Sequence, residues 1–177
     1  MLATYRCGEI KEQALALYEK DFLSFHKQAN KGLMSNFKQF CLELEEKVLS
    51  AYDETAKNYF EKVYKDVRES LIHSILQQFY VGFTNQGKMF IPLSQKHLKN
   101  EIEKELTMNE NFSEVVGRLR NKHIEHFVNY MKGIQLTEQW DLNMNSVVEI
   151  FDDVIGNFRK TKLDNKRKDQ TVYIVLK

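Results

Sequence analysis

The chain has 177 residues, 42% of them apolar and 29% charged, with a formal net charge of +1. That is enough apolar material for a core of modest thickness, and a balance so near neutral excludes an overall field drawing the molecule to nucleic acid or anionic lipid. One proline, seven glycines and few β-branched runs before the last stretch point to an all-α chain.

The spacing predicts a first helix starting within residues 2 to 8. It turns Ile10, Ala14, Leu17, Tyr18, Phe22 and Phe25 inward and stops near Asn30-Lys31-Gly32, where Asn or Gly can take a left-handed closing conformation. From Leu33 to Val81 no Gly or Pro interrupts the sequence, which predicts one very long helix of roughly 70 Å at about 1.5 Å per residue. Phe37, Phe40, Cys41, Leu44, Val48, Tyr52, Ala56, Tyr59, Val63, Leu71, Ile75 and Phe79 recur mostly at steps of three and four, tracing one stripe. Helix-spaced ion pairs such as Glu43 with Lys47 add only about 0.2–0.5 kcal/mol each, so persistence of this helix requires burial of the stripe against partner helices.

Gly82-Phe83-Thr84-Asn85-Gln86-Gly87 reads as a turn, and Pro92 is expected to stop a helix running straight through. A third helix is expected from about Leu93, with Leu98, Ile102 and Leu106 on one side. Asn111 and Glu114 resemble a capping box opening a fourth helix that buries Val115, Val116, Leu119, Phe127 and Tyr130 and exits near Gly133. A fifth starts between Asp141 and Asn145 and buries Val147, Val148, Phe151, Val154, Ile155 and Phe158, with Trp140 packed at the joint. Arg159, Lys160, Lys162, Lys166, Arg167 and Lys168 then form a basic run, either solvated or meeting acidic headgroups or an acidic protein face. The stretch from Thr171 to Lys177 is β-prone, and the ragged end of a longer protein is preferred over a strand seeking an edge.

Several motifs invite a chemical reading. Gly82 to Lys88 fits seven places of a phosphate-binding loop, whose amides wrap a phosphate while its lysine neutralises charge, but Met89 stands where a hydroxyl must hold Mg²⁺. Thr161-Lys162-Leu163-Asp164 matches a loose guanine-reading pattern that four residues often meet by chance; the solvated end of a helix is the better account. His123 and His126, three apart on one helix, could share a metal, yet no third ligand is evident and a structural role is favoured. Cys7 and Cys41 show neither CxxC nor nucleophile spacing, so Cys41 on the stripe reads as a small core residue. With no signal-peptide pattern and no run of about 18 apolar residues, the expectation is a soluble chain in a reducing compartment.

Met1-Leu2-Ala3-Thr4-Tyr5-Arg6-Cys7-Gly8-Glu9-Ile10 carries an Ala-Thr-x-Arg-Cys-x-Glu-Ile order. It resembles the passage from GTPase domain to helical stalk in the root hair defective family, the plant, fungal and protist analogues of atlastin. Tyr52-Asp53-Glu54-Thr55-Ala56, with Tyr59 and Val63, and Phe112-Ser113-Glu114-Val115-Val116 extend the resemblance through most of residues 1 to 160. Gly8 departs from the acidic residue usual there, and the stretch from Gln86 to Pro92 diverges locally.

The spacing thus predicts an elongated helical bundle with one very long helix and about four shorter ones; with the resemblance, residues 1–165 are expected to form a stalk and 166–177 a tail. The resemblance implies part of the middle domain of a dynamin-like GTPase that fuses endoplasmic reticulum membranes, on their cytoplasmic face. Arg6 and Glu9 would lie at the junction with the GTPase domain. This fragment itself would hold no catalytic, cofactor-binding or metal residues, while the parent would use GTP and Mg. The partners implied are its own GTPase domain and a second copy of the protein, with no nucleic acid, and with the membrane reached through parts absent here. The alternative is a coiled-coil or curvature-sensing membrane adaptor whose long helix pairs with its twin. A third reading, an enzyme, needs the Gly82 loop to bind nucleotide.

Overall fold

A computed structural model describes residues 2–105 and 112–175, with side chains described through 161. Those residues form helices and no strand: α1 (Leu2–Leu17), α2 (Glu19–Lys31), α3 (Phe37–Ala56), α4 (Glu61–Glu105), α5 (Phe112–Ile134) and α6 (Met144–Val175). The all-α bundle and its one very long helix are therefore present. The long helix is α4, of 45 residues, and its position is not the expected one.

The helix expected over Leu33–Val81 is broken at residues 57–60. Most of its stripe is still buried: Phe37, Cys41, Leu44, Val48, Tyr52 and Ala56 on α3 and Leu71, Ile75 and Phe79 on α4 lie in the core, while Phe40, Tyr59 and Val63 are half-buried. Folding the stripe back on itself lets its two halves cover each other, which a straight rod could not do. The turn is held by polar groups from both helices. Tyr64 donates its hydroxyl to Asp53 Oδ1 at 2.6 Å, and the Arg68 guanidinium donates to both Asp53 oxygens at 2.9–3.2 Å. Tyr52 donates to the Tyr64 carbonyl at 3.2 Å, its ring stacked on Tyr64 with centroids 5.7 Å apart.

The expected turn at Gly82–Gly87 and the expected stop before Pro92 are both absent: α4 runs through them. Gly82 serves close packing, since a Cβ there would lie 2.4 Å from the Phe25 ring and 3.2 Å from Phe37. Pro92 costs α4 one hydrogen bond and a ring clash within the preceding turn. The separate third helix is consequently the second half of α4, with Leu98 and Ile102 buried as expected; Leu106 and the Asn111 cap lie outside the described residues.

The first helix also differs. It divides at Tyr18 into α1 and α2; the inward face continues through Ala14, half-buried Tyr18 and Phe22, and Leu17, beside it, is 68% exposed rather than inward. Gly32 closes α2 in an extended conformation (φ −179°, ψ −179°), not a left-handed one. At the other end of the chain, α6 continues as helix through Val175, so the strand alternative for the tail does not hold.

The chain packs as two units, residues 1–89 with 133–140, and residues 90–132 with 141–177. In the first, Lys11 with Ser70, His26 with Gln78 and Asn30 with Asn85 set α1–α2 parallel to the first half of α4, while the Asp53–Arg68 pair sets α3 antiparallel to it. Trp140 is buried against Phe83 (5.0 Å between centroids) and Tyr80 (5.7 Å). In the second, Lys122 on Glu101 and Phe90 stacked on Tyr130 (4.4 Å) set α5 antiparallel to the second half of α4. Arg120 on Asp152 and Phe112 against Phe158 set α6 antiparallel to α5. Each unit is an up-down-up arrangement of helices.

Candidate functional site

The residues singled out from sequence disperse. Arg6 and Glu9 sit on the surface of α1, one turn apart, with Arg6 Nη1 donating to Glu9 Oε2 at 3.0 Å. Cys7 and Cys41 are free thiols without exposure. Burial, and secondarily the Glu45 carboxylate, push the Cys41 thiol far above its ordinary pKa, which suppresses the thiolate that nucleophilic chemistry needs. The Gly82–Lys88 segment is mid-helix, so its amides are committed to α4 rather than arranged as a phosphate cradle. Thr161 lies on α6 and returns its hydroxyl to the Asn157 carbonyl.

His123 and His126 do not converge. His126 meets the edge of Phe90 at 5.3 Å, whereas His123 is buried between α5 and α4. Among the described residues no group of three His, Cys, Asp or Glu side chains is placed to hold a metal ion. His123 instead joins two residues that sequence spacing does not connect. Its Nδ1 lies 3.4 Å from Ser94 Oγ, and its Nε2 stands 3.4 Å from Glu101 Oε2 without a hydrogen bond. Desolvation lowers the imidazole pKa despite the attraction of Glu101. Glu101 is itself held below the ordinary carboxylate range, first by the Lys122 ammonium at 2.8 Å.

A serine, an imidazole and a carboxylate in line match the composition of a hydrolytic triad. The geometry does not serve that chemistry, because Ser94 is a buried mid-helix residue and its hydroxyl is closed off from substrate. The cluster joins α4 to α5.

A second buried polar residue gave no functional signal in the sequence. Gln86, fully buried on α4, accepts the Met34 backbone N–H at 2.7 Å and donates to the carbonyls of Ala29 and Gly32 at 3.1 and 3.0 Å. One amide thereby satisfies the end of α2 and the linker to α3, groups that a helix terminus leaves without partners. A polar residue within an apolar period is the one trace of this role that spacing offers.

The second unit carries a groove of about 610 Å³ lined by α4 and α6, with Pro92, Val154 and Phe158 among its apolar walls and Lys96, Lys99 and Glu103 at its edge. No helix among the described residues is long and apolar enough to cross a membrane. Packed helices, buried polar residues that join one helix to the next, and a surface groove are the features of an architectural or docking module.

Comparison with known proteins agrees with that class. The Sey1 three-helix bundle domain matches residues 35–173, and the chain belongs to that family. It is 29% identical over 115 residues to Protein ROOT HAIR DEFECTIVE 3 homolog 2 of Oryza sativa subsp. japonica, covering 64% of this chain and 14% of that protein. It is 26% identical over 106 residues to Protein SEY1 homolog 1 of Paramecium tetraurelia, covering 60% of this chain and 14% of that one. A SEY1 homolog 1 of Entamoeba histolytica is 30% identical over 92 residues, covering 51% and 10%. The resemblance to the root hair defective family is upheld. The matched stretch is about one seventh or less of each relative's length, and no solved structure matches.

Proposed function

We propose that this chain is the helical stalk of a membrane-fusing GTPase of the endoplasmic reticulum, and that it relays GTPase dimerisation to membrane tethering. The observation that carries the reading is the Sey1 three-helix bundle match across residues 35–173, joined to relatives named for SEY1 and ROOT HAIR DEFECTIVE 3. The packing supports it physically. A relay element must resist bending, and α4 gains its stiffness from apolar residues buried along both of its halves, from Leu71 to Phe83 and from Leu98 to Ile102.

In this reading the parent protein supplies the GTP and Mg chemistry in a separate domain and reaches the membrane through other segments, facing the cytoplasm. The partners are that GTPase domain and a second copy of the protein. Arg6 and Glu9 are the junction: they pair with each other at the surface of α1, where a neighbouring domain can reach them.

The test has two arms. Titrating GTP with Mg²⁺ into the 177-residue chain should give no saturating heat, and cosedimentation with anionic liposomes should show no salt-sensitive binding. In the full-length parent, Arg6→Ala with Glu9→Ala should leave GTP hydrolysis intact while lowering lipid mixing between reconstituted vesicles. Saturable nucleotide binding by the chain alone, or unchanged lipid mixing by the double variant, would refute the proposed role.

A further inference from the structure

The charges on the second half of α4 divide by face. Those turned toward α5 are matched: Glu101 takes Lys122, and Glu105 takes Arg118. Between α5 and α6, Arg120 takes Asp152. Those bordering the α4/α6 groove are not: among the described residues Lys96, Lys99 and Glu103 have no salt bridge. The groove between them has a side-chain seam of its own. Pro92, Lys96, Lys99 and Glu103 follow one another at steps of four, three and four along α4, and Val154, Phe158 and Thr161 at steps of four and three along α6. Side chains repeating about every 3.5 residues on two neighbouring helices form the holes that receive knobs from a further helix.

We propose that this groove is the docking slot for an amphipathic helix carrying acidic residues, seated as a fourth helix on the second unit. The occupant's chemistry is set by the groove. Its apolar side chains cover exposed Pro92 and half-buried Val154 and Phe158, which line a groove about 610 Å³ in volume. Two carboxylates one turn apart meet Lys96 and Lys99, which are themselves three apart. A cation one turn further along meets Glu103. That order of charge, two positive groups followed by a negative one along α4, fixes both the sign and the direction of the partner, and this is how helix-in-groove recognition gains its specificity. A flat anionic membrane would meet the lysines but would press headgroups against Glu103 and could not fill a slot between two helices.

The slot extends over about three turns of α4, so its affinity should be modest and its exchange rapid. The probe is a synthetic 18-residue helical peptide with leucines at alternating three- and four-residue steps, glutamates flanking two of them and one lysine a turn beyond. A charge-reversed twin and vesicles of phosphatidylserine serve as comparators. In heteronuclear spectra of the ¹⁵N-labelled 177-residue chain, the acidic peptide should produce saturable shifts confined to residues 92–103 and 154–161, and the twin should produce none. Lys96→Glu with Lys99→Glu, two exposed positions whose change leaves the helical circular dichroism intact, should weaken the acidic peptide about tenfold or more and favour the twin. Equal binding of both peptides, shifts elsewhere, no saturation, or stronger perturbation of the groove by the vesicles than by the peptide would overturn the proposal. None of these outcomes bears on the role of Arg6 and Glu9, so the stalk reading and the docking slot fail separately.

Discussion

Replacing Gly82 by alanine separates two effects that act in opposite directions on the same helix. In a helix interior, Gly→Ala ordinarily stabilises by about 0.5–1 kcal/mol because glycine loses more backbone freedom on folding. At Gly82 the new methyl would stand 2.4 and 2.8 Å from two Phe25 ring atoms and 3.2 Å from Phe37. Phe25 cannot swing aside freely: it is fully buried, with the rings of Phe79, Phe37 and Phe40 at 5.2, 5.5 and 5.8 Å. Overpacking of this kind costs about 1–3 kcal/mol. A contact so far inside van der Waals range belongs in the upper half of that span, leaving a net loss of about 1–2.5 kcal/mol. For a chain of this length that lowers Tm by roughly 2–10 °C. Gly8 is the internal control, since a Cβ there meets nothing within 4 Å, and Gly8→Ala should raise stability by about 0.5–1 kcal/mol. Urea unfolding followed by Trp140 fluorescence reads the first unit directly, because Trp140 is the one tryptophan and packs on Phe83 and Tyr80. Adding Phe25→Leu to Gly82→Ala should recover part of the loss in a double-mutant cycle. A Gly82→Ala variant as stable as its parent, or gaining as Gly8→Ala does, would refute the close-packing account of this glycine.

Gln86→Leu should cost the first unit about 2–3 kcal/mol by the same fluorescence assay, because the Met34 N–H and the Ala29 and Gly32 carbonyls lose a buried partner. Asp53→Asn should cost about 1–2 kcal/mol at pH 7 by weakening charge-assisted bonds from Arg68 and Tyr64. Burial works to raise the Asp53 pKa, but those donors outweigh it and the net shift is downward. The Asp53 contribution is therefore complete above the unfolded value of about 3.9 and is lost as pH falls through the lower folded value, so urea midpoints of parent and variant should converge there. His123 follows the same direction from the opposite charge type. Its lowered pKa means the unfolded state binds its proton first, so stability is complete above about pH 6.5 and declines as pH falls below it. Glu101, Lys122 and His126 are the charged or titratable groups acting on the ring. Hydrogen exchange in α5, corrected for intrinsic rates, should quicken between pH 7.5 and 5.5, and His123→Leu should flatten that dependence.

Much of the fold was legible because apolar period survives whatever the chain does at its turns. The stripe from Phe37 to Phe79, the inward face of α5 at Val115, Val116, Leu119 and Phe127, and Val147, Phe151 and Ile155 on α6 are buried as their spacing implies. The corners were misplaced for one physical reason. Glycine and proline mark turns by their local backbone cost, about 1 kcal/mol for glycine and 3 for proline in a helix, and burial on either side of them is larger than that. Gly82 gains contact with Phe25 that no other residue permits, and Pro92 is flanked by the buried Ser94 and Leu98. Conversely, Asn58-Tyr59-Phe60 carries no strong breaker, yet the helix ends there because the Asp53, Tyr64 and Arg68 side chains close a corner that only the tertiary fold brings together.

The candidate sites were less legible still, since what matters in them is pairing across helices. His123 was visible as a histidine, but its neighbours Ser94 and Glu101 lie on another helix, α4, a juxtaposition that spacing rules do not reach. Gln86 lies 52 residues from the Met34 amide it accepts. Lys96 and Lys99 look like any solvated helix charges until the neighbouring Glu101 and Glu105 are seen to be matched and these are not. Apolar contact tolerates small slips of one helix along another, whereas the Gln86 amide bonds both the end of α2 and the linker to α3, and the Asp53 carboxylate bonds two residues of α4, so each loses several bonds together when the register shifts. Such fixed points recur along α4, which carries Gln86 and Arg68 in the first unit and Ser94 and Glu101 in the second.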